Sequence, residues 1–204
     1  MIVIIDYGMG NLKSVYNAVK KLGYICRISG EIKEIEKADK LILPCGGSFK
    51  DAIDNLKRLN LIEVIKKKVN EGCPLLGICL GMQMLFEEGY EGEFRKGLGL
   101  IEGKVKIMVP DESVKIPHIG WNRLEINNNN YILNNIDKES FVYYVHSYMV
   151  TEINNDNLIA YSEYGNIKIP GLVNKKNVYG AQFHPEKSGE VGLKILKNFG
   201  ELRV

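Results

Sequence analysis

The segment Pro74-Leu75-Leu76-Gly77-Ile78-Cys79-Leu80-Gly81-Met82 constrains this chain more than any other. An apolar run suited to a strand buried on both faces passes, without a loop, into a helical pattern from Leu80 to Glu87. A chain that turns from strand to helix within two residues brings the two elements close to backbone contact. The small residues Gly77 and Gly81 on either side of the turn allow this. The turn itself carries a cysteine. A thiol at such an elbow projects from strained backbone, at the positive end of a helix dipole that lowers its pKa below the roughly 8.5 of a free thiol. The backbone N–H of Leu80, next in sequence, is placed to donate to an oxyanion. The alternative for a free cysteine is a small buried hydrophobe. The glycines and the strand-to-helix switch favour a nucleophile at Cys79, while Cys26 and Cys73 lack that context and read as packing residues.

The flanking pattern places the elbow in an α/β fold. Ile2 to Ile5 is a continuous β-branched run, followed by a turn with Gly8 and Gly10. Asn11 caps a helix with apolar positions Leu12, Val15, Val19 and Leu22, which ends at Gly23. Tyr24 to Ile28 and Lys40 to Leu43 read as further strands, the latter stopped by Pro44. A helical stretch from about Phe49 to Asn70 breaks near Asn60. Strand and helix in alternation predict a mostly parallel sheet flanked by helices in three layers. The second half reads as short strands at Val105–Val109, Ile116–Ile126, Phe141–Val150, Leu158–Tyr164, Ile167–Val173 and Val178–Phe183, expected to extend one edge of the sheet as antiparallel strands. The run Asn127 to Asn130 is a loop, and a last helix spans Val191 to Phe199. At 204 residues, with no linker or repeat, a single domain over 1–204 is expected.

Composition excludes several roles. A formal net charge of +2 is too small to argue for nucleic acid or a membrane surface, and the Lys66-Lys67-Lys68 run reads as a solvated helix face. No apolar run approaches the roughly 20 residues of a membrane helix. No leader is expected, since Met1 to Ile5 meets Asp6 at once. None of the four cysteines forms a C-x-x-C pair, so neither metal nor cofactor is expected and the natural setting is a reducing cytoplasm.

A cysteine nucleophile needs a base, and there are three histidines, His118, His146 and His184. His184 lies in Gln182-Phe183-His184-Pro185-Glu186-Lys187, directly after an apolar run. Residues two apart on an extended segment point the same way, so Glu186 can hold one ring nitrogen and turn the other toward a thiol. An H-x-E pair alone is a weak signal; beside a cysteine elbow it becomes a strong one. His118 and His146 lack neighbours at metal-ligand spacing.

The order Cys, His, Glu, with G-x-C-x-G and H-P-E, resembles the class I (triad) glutamine amidotransferases. Five segments extend the resemblance nearly end to end: Asp6-Tyr7-Gly8-Met9-Gly10-Asn11-Leu12, Gly77 to Gln83, Pro117-His118-Ile119-Gly120-Trp121-Asn122, His146-Ser147-Tyr148, and Gln182 to Lys187. The third is similar to the branch of that family formed by the glutaminase subunits of imidazole glycerol phosphate synthases.

The resemblance implies a three-layer amidotransferase-like fold and hydrolysis of L-glutamine to glutamate and ammonia through a thioester on Cys79, with His184 and Glu186 as partners. It implies an oxyanion hole at Leu80 and Gly47, glutamine contacts at Gln83, Ser147 and Tyr148, and no cofactor. It further implies a heterodimer with a (β/α)₈-barrel cyclase subunit, which takes the ammonia to form imidazole glycerol phosphate and aminoimidazole carboxamide ribonucleotide in L-histidine biosynthesis. Asn11, Trp121, Tyr143 and Lys187 match positions near the ammonia exit and the partner surface. The alternatives are another triad amidotransferase subunit, a stand-alone cysteine hydrolase and a non-catalytic interaction subunit. One departure stands out. The family's usual Pro-Gly-Val-Gly on the oxyanion strand is here Pro44-Cys45-Gly46-Gly47, which leaves Cys45 either a second reactive thiol or a tolerated small side chain.

Overall fold

The computed structural model describes residues 1–202, and its first half alternates strand and helix. The order is β1 (Ile2–Ile5), α1 (Leu12–Lys21), β2 (Cys26–Ser29), α2 (Ile32–Glu36), β3 (Lys40–Leu43), α3 (Phe49–Arg58), α4 (Leu61–Asn70), β4 (Leu75–Ile78) and α5 (Leu80–Gln83). The local signals act as their chemistry dictates. The Asn11 side chain accepts from the Ser14 N–H at the start of α1, and Asn60 takes a left-handed conformation (φ 56°) between α3 and α4. The short α2 had no expectation attached to it.

The second half contributes β5 (Glu88–Gly89), β6 (Arg95–Lys96), β7 (Lys104–Ile107), β8 (His118–Arg123), β9 (Glu125–Ile126), β10 (Phe141–His146), β11 (Tyr148–Thr151), β12 (Leu158–Tyr164), β13 (Ile167–Lys175), β14 (Val178–Ala181) and α6 (Gly189–Glu201). The main sheet has eight strands in the order β2-β1-β3-β4-β14-β13-β12-β9. Strands β2 to β14 in that order are parallel, and β13, β12 and β9 continue the edge in antiparallel fashion.

Two expectations are corrected. The other second-half strands do not join this edge: β8 and β10 form a separate ribbon, and β11-β7-β5-β6 a separate four-stranded sheet. The run Phe141–Val150 breaks at Ser147, whose carbonyl accepts from the Met108 N–H, so β10 faces β8 while β11 faces β7. The helix expected over Leu80–Glu87 stops at Gln83. The carbonyls of Met84, Leu85, Phe86 and Glu87 accept instead from the N–H groups of Leu98, Leu100, Gly99 and Gly97, so an incoming loop replaces the intrahelical bonds.

Among the parallel strands β1, β3, β4 and β14 are buried on both faces while the edge strand β2 is not, and alternation along the inner strands feeds two cores. Val3, Ile5, Leu41, Leu43 and Leu75 face α2, α3 and α4 through Ile35, Ile53, Leu56 and Ile65. Ile2, Ile4, Ile42, Leu76 and Ile78 face α1 and α6 through Val15, Val19, Ile195 and Phe199. The result is three layers. The candidate residues Asn11, Gly47, Cys79 and His184 lie at the carboxyl ends of the parallel strands, in the loops after β1, β3, β4 and β14.

Gly81 sets how closely α5 passes β3. A Cβ there would lie 1.9 Å from the Leu43 carbonyl oxygen, and one at Gly77 2.5 Å from the Gly81 carbonyl oxygen. Gly81→Ala is therefore expected to displace backbone and destabilise the fold by about 2 kcal/mol or more, judged from the 1–3 kcal/mol typical of overpacking. A denaturant midpoint unchanged from the parent would refute this account of the elbow.

Candidate active site

Cys79 sits between β4 and α5 at φ 52°, ψ −110°, a backbone conformation that a residue with a side chain rarely adopts. The strain holds because the surroundings over-determine it. The Cys79 N–H donates to the Ala181 carbonyl (2.6 Å) on neighbouring β14, and its own carbonyl accepts from the Gln83 N–H (3.1 Å). The thiol is buried, with the Gln182 amide nitrogen 3.7 Å from its sulphur.

His184 lies three residues after β14, and β14 pairs in parallel with β4, so the candidate base and candidate nucleophile hang from adjacent strands. The His184 backbone N–H donates to the Tyr143 carbonyl (2.9 Å). Its Nδ1 lies 2.7 Å from Glu186 Oε1, and both side chains are almost fully buried. Nδ1 is thereby occupied, whereas Nε2 is buried without a hydrogen-bond partner. Such a nitrogen is available to take or give a proton.

Cys45 completes a cluster that sequence reasoning left open. Its sulphur, the Cys79 sulphur and a His184 ring nitrogen all lie within 4.8 Å of one another. The two thiols titrate as a pair. The Cys79 thiol beside it, with smaller help from the nearby His184 ring and the Leu80 N–H, outweighs burial and brings Cys45 down to about 5. The same contact, burial and the neighbouring Cys45 charge push Cys79 well up, with the Leu80 N–H acting in the opposite direction. The pair thus loses one proton early and holds the other, and the two sulphurs lie within 4.8 Å of each other. Burial works against a charge on His184. The Cys45 and Glu186 partners outweigh it and raise the imidazole to about 9. Both shifts favour a thiolate on Cys45 beside an imidazolium on His184. The expectation that a helix dipole lowers the Cys79 thiol is corrected: α5 has four residues, and the Cys45 hydrogen bond, burial and the Cys45 charge push Cys79 up, so the stabilised thiolate is Cys45.

The cluster opens into a cavity of about 120 Å³. Its walls include Gly47, Leu80, Gln83, Ser147 and Tyr148, five residues singled out from sequence, together with Glu91, which was not. The Gln83 side-chain nitrogen donates to the Tyr148 carbonyl (2.9 Å) and to Gln182 Oε1 (3.0 Å), which locks the amide at the cavity wall. Gln182 has its own place beside Cys79; the period-two spacing to His184 was the available signal. Glu91 accepts from the Phe49 N–H (2.7 Å), and burial raises its carboxyl. The segment after β3, Pro44 to Gly47, is tied to the first loop. The Asn11 N–H donates to the Cys45 carbonyl (3.2 Å), and the Tyr7 hydroxyl donates to the Pro44 carbonyl (2.9 Å). Gly47 takes φ +75°, and a Cβ on Gly46 would lie 2.3 Å from the Gly10 backbone, which requires glycine at both places.

His118 and His146 form a buried chain behind the cavity. His146 Nδ1–H donates to the Tyr148 carbonyl (2.9 Å), which leaves Nε2 to accept from His118 Nδ1–H (3.0 Å). His118 Nε2 then accepts from the Asn122 amide (3.4 Å). Burial lowers both rings to about 4, so both are neutral. On the opposite face of the same ribbon, Trp121 pairs in register with Tyr143, their ring centroids 5.9 Å apart. Trp121 is 56% exposed and is joined on that face by exposed Ile119 and Phe141. Lys187 sits in the turn after His184 and donates its backbone N–H to the His184 carbonyl (3.0 Å). Asn11 lies in the loop after β1, beside the oxyanion strand.

Comparison with known proteins agrees with this geometry. The family model described as glutamine amidotransferase class-I matches residues 3–201. The imidazole glycerol phosphate synthase subunit HisH of Lactococcus lactis is 53% identical over 200 residues, 98% of each chain. The subunit HisH of Caldanaerobacter subterraneus is 50% identical over 99% of this chain and 98% of its own. Among solved structures, PurLQS from Thermotoga maritima superposes with a TM-score of 0.76 at 22% identity, over 97% of this chain and 96% of that one, a likeness of fold.

Two pH dependences follow. Thiolate and imidazolium coexist from about 5 to about 9, so alkylation of the Cys45–Cys79 pair by iodoacetamide should begin near pH 5 rather than near the ordinary thiol value of 9.0. Glu186→Gln should narrow this window from its upper end, and a parent profile that starts only near pH 9 would refute the ion pair. The buried histidines act on stability. Their folded values of about 4 lie below the ordinary 6.5, so between these the unfolded chain binds more protons. The stabilisation is present above 6.5 and is lost as pH falls toward 4. A His118→Asn/His146→Gln variant should flatten this part of the denaturation profile; an unchanged slope would count against neutral rings.

Proposed function

Because the chain belongs to the class I glutamine amidotransferase family, we propose that it is the glutaminase subunit of an imidazole glycerol phosphate synthase. The observation that carries this reading is Cys79 on a strained elbow, facing a buried imidazole whose far nitrogen is held 2.7 Å from Glu186.

In this reading glutamine enters the cavity with its side-chain amide over Cys79. Glu91, the acidic residue of the wall, suits the α-ammonium group, and Gln83, Ser147 and Tyr148 hold the amino-acid end. Cys79 passes its proton to the neighbouring Cys45 thiolate and attacks the amide carbon. The oxyanion accepts from the Leu80 N–H and from an N–H near Gly47. Nε2–H of His184 gives its proton to the departing nitrogen, and ammonia leaves. The neutral imidazole then removes a proton from water, which attacks the thioester and releases glutamate. Each oxyanion donor is worth about 10²–10³ in rate. The Asn11–Cys45 and Tyr7–Pro44 bonds hold the oxyanion strand, so its N–H turns inward only if the first loop moves.

The partner is a (β/α)₈-barrel cyclase, docked on the exposed face of the β8–β10 ribbon, with Asn11, Trp121, Tyr143 and Lys187 around the ammonia exit. A contiguous face bearing Ile119, Trp121 and Phe141 supports a docking surface, since a lone protein rarely exposes such a patch. The setting is cytoplasmic; among the described residues no helix is long and apolar enough to cross a membrane.

The test is glutamate release by the purified chain, alone and with the cyclase subunit and its nucleotide ligand. Release should be slight alone, rise strongly with the liganded partner, and vanish in Cys79→Ala. Equal rates with and without the partner would make the protein an independent hydrolase. Trp121→Ala should weaken partner affinity by about 30-fold or more, the scale of a hot spot of ~2 kcal/mol, without slowing alkylation of the thiol pair. Undiminished affinity would move the interface elsewhere.

A further inference from the structure

We propose that Cys45, Cys79 and His184 form a binding site for a thiophilic metal cation such as Zn²⁺, and that its occupation takes nucleophile and base out of action together. The inhibitory consequence rests on the glutaminase reading; the binding does not.

Three observations carry the site. The first is distance. The ligand atoms lie within 4.8 Å of one another. A tetrahedral zinc, with Zn–S of about 2.3 Å and Zn–N of about 2.0–2.1 Å, sets its ligand atoms about 3.6–3.8 Å apart. A shift of roughly 1 Å or less closes the cluster. Cys79 is fixed by its elbow, while Cys45 lies beside Gly46 and Gly47 on a segment held by loop contacts rather than by a strand ladder.

The second is orientation. His184 is 4% exposed, and its Nε2 has no hydrogen-bond partner, whereas Nδ1 is bound to Glu186. A carboxylate behind an imidazole is the arrangement that fixes the tautomer of a metal-binding histidine and makes its free nitrogen a better ligand. The pair that orients a general base also orients a metal ligand.

The third is charge and access. Two thiolates and one neutral imidazole balance a divalent cation, and binding releases two protons to solvent. This donor set favours Zn²⁺ or Cu⁺ over Mg²⁺ or Ca²⁺. The cavity wall includes Cys45 and Cys79, so a cation reaches the sulphurs by the route that glutamine uses, and a fourth ligand, water, faces the cavity. Cys45 makes the difference. Without it, Cys79 and His184 are two ligands, too few to hold a structural or inhibitory metal.

The test uses the reduced full-length chain. Titration with Co²⁺ should give one equivalent of tight binding, with sulphur-to-cobalt charge-transfer absorption and tetrahedral d–d bands, both erased by Zn²⁺. One equivalent of Zn²⁺ should protect Cys45 and Cys79 from iodoacetamide, read by mass spectrometry, and leave Cys26 and Cys73 as reactive as before. Cys45→Ser should weaken Zn²⁺ binding by more than about 100-fold, and Glu186→Gln by about 10–100-fold, the usual effect of losing a partner behind a ligand. Absence of stoichiometric binding, protection confined to Cys26 or Cys73, or full affinity in a folded Cys45→Ser would each overturn the site. The protection experiment needs no variant, so a misfolded variant does not rescue the idea. A protein that binds Zn²⁺ at this cluster yet releases no glutamate with its partner sinks the glutaminase reading alone. An active protein that binds none sinks this inference alone.

Discussion

The close passage of β4 and α5 over β3 is the constraint from which the site follows. Cys79 holds a conformation that costs on the order of 1–3 kcal/mol. It persists because Gly77 and Gly81 allow backbone approaches that any side chain would block, one of them 1.9 Å from the Leu43 carbonyl oxygen. The elements on both sides are anchored by fully buried Leu75, Leu76, Ile78 and Met82. Each such side chain contributes about 1.5–3 kcal/mol on burial, so the core easily offsets the strain. The direction of the Cys79 side chain is thus a product of core packing.

The same packing brings the other groups in. Pairing of β14 with β4, Ala181 opposite Ile78, sets His184 next to the elbow. Pairing of β3 with β4, Leu43 opposite Gly77, delivers Pro44 to Gly47 to its other side. Parallel strands end on one edge, so the loops after β3, β4 and β14 meet without any long-range loop having to fold over the site. Electrostatics then acts within this frame. A thiolate and an imidazolium, each costly to bury alone, offset each other's desolvation, with Glu186 completing the balance.

What the sequence revealed and what it hid divide along physical lines. Rules that act over a few residues were legible: the β-branched run of β1, the Asn11 cap, the break at Asn60, the glycine-flanked elbow and the two-residue spacing of His184 and Glu186. Rules that depend on partners far along the chain were not. The helix after Cys79 is cut short because residues 97–101 take its carbonyls, and nothing in residues 80–87 announces that. The run Phe141–Val150 is uniformly strand-like, yet it serves two sheets with Ser147 as the joint. Cys45 was visible as an oddity, but its contact with Cys79 exists only once β3 and β4 pair. Gln182 and Glu91 joined the site in the same way, through tertiary position.

The β8–β10 ribbon shows how little structure is needed to connect two surfaces. Side chains on a strand alternate, so one pair of strands presents Trp121 and Tyr143 outward and His118, Tyr144 and His146 inward. The inward histidines end on the Tyr148 carbonyl, which also holds Gln83 at the cavity wall. The Tyr143 carbonyl holds the His184 N–H, and the Tyr143 N–H donates to Ser188 Oγ (2.9 Å). The ribbon is therefore bonded both to the segment that carries the imidazole and to the carbonyl that holds the cavity wall. Neutral rings suit this role. Each hydrogen bond in the chain fixes the tautomer of the next, so the array has one low-energy arrangement and transmits position rather than charge. The exposed face bearing Trp121 and the inward face that reaches the cavity wall through His146 are thereby two sides of one two-stranded element.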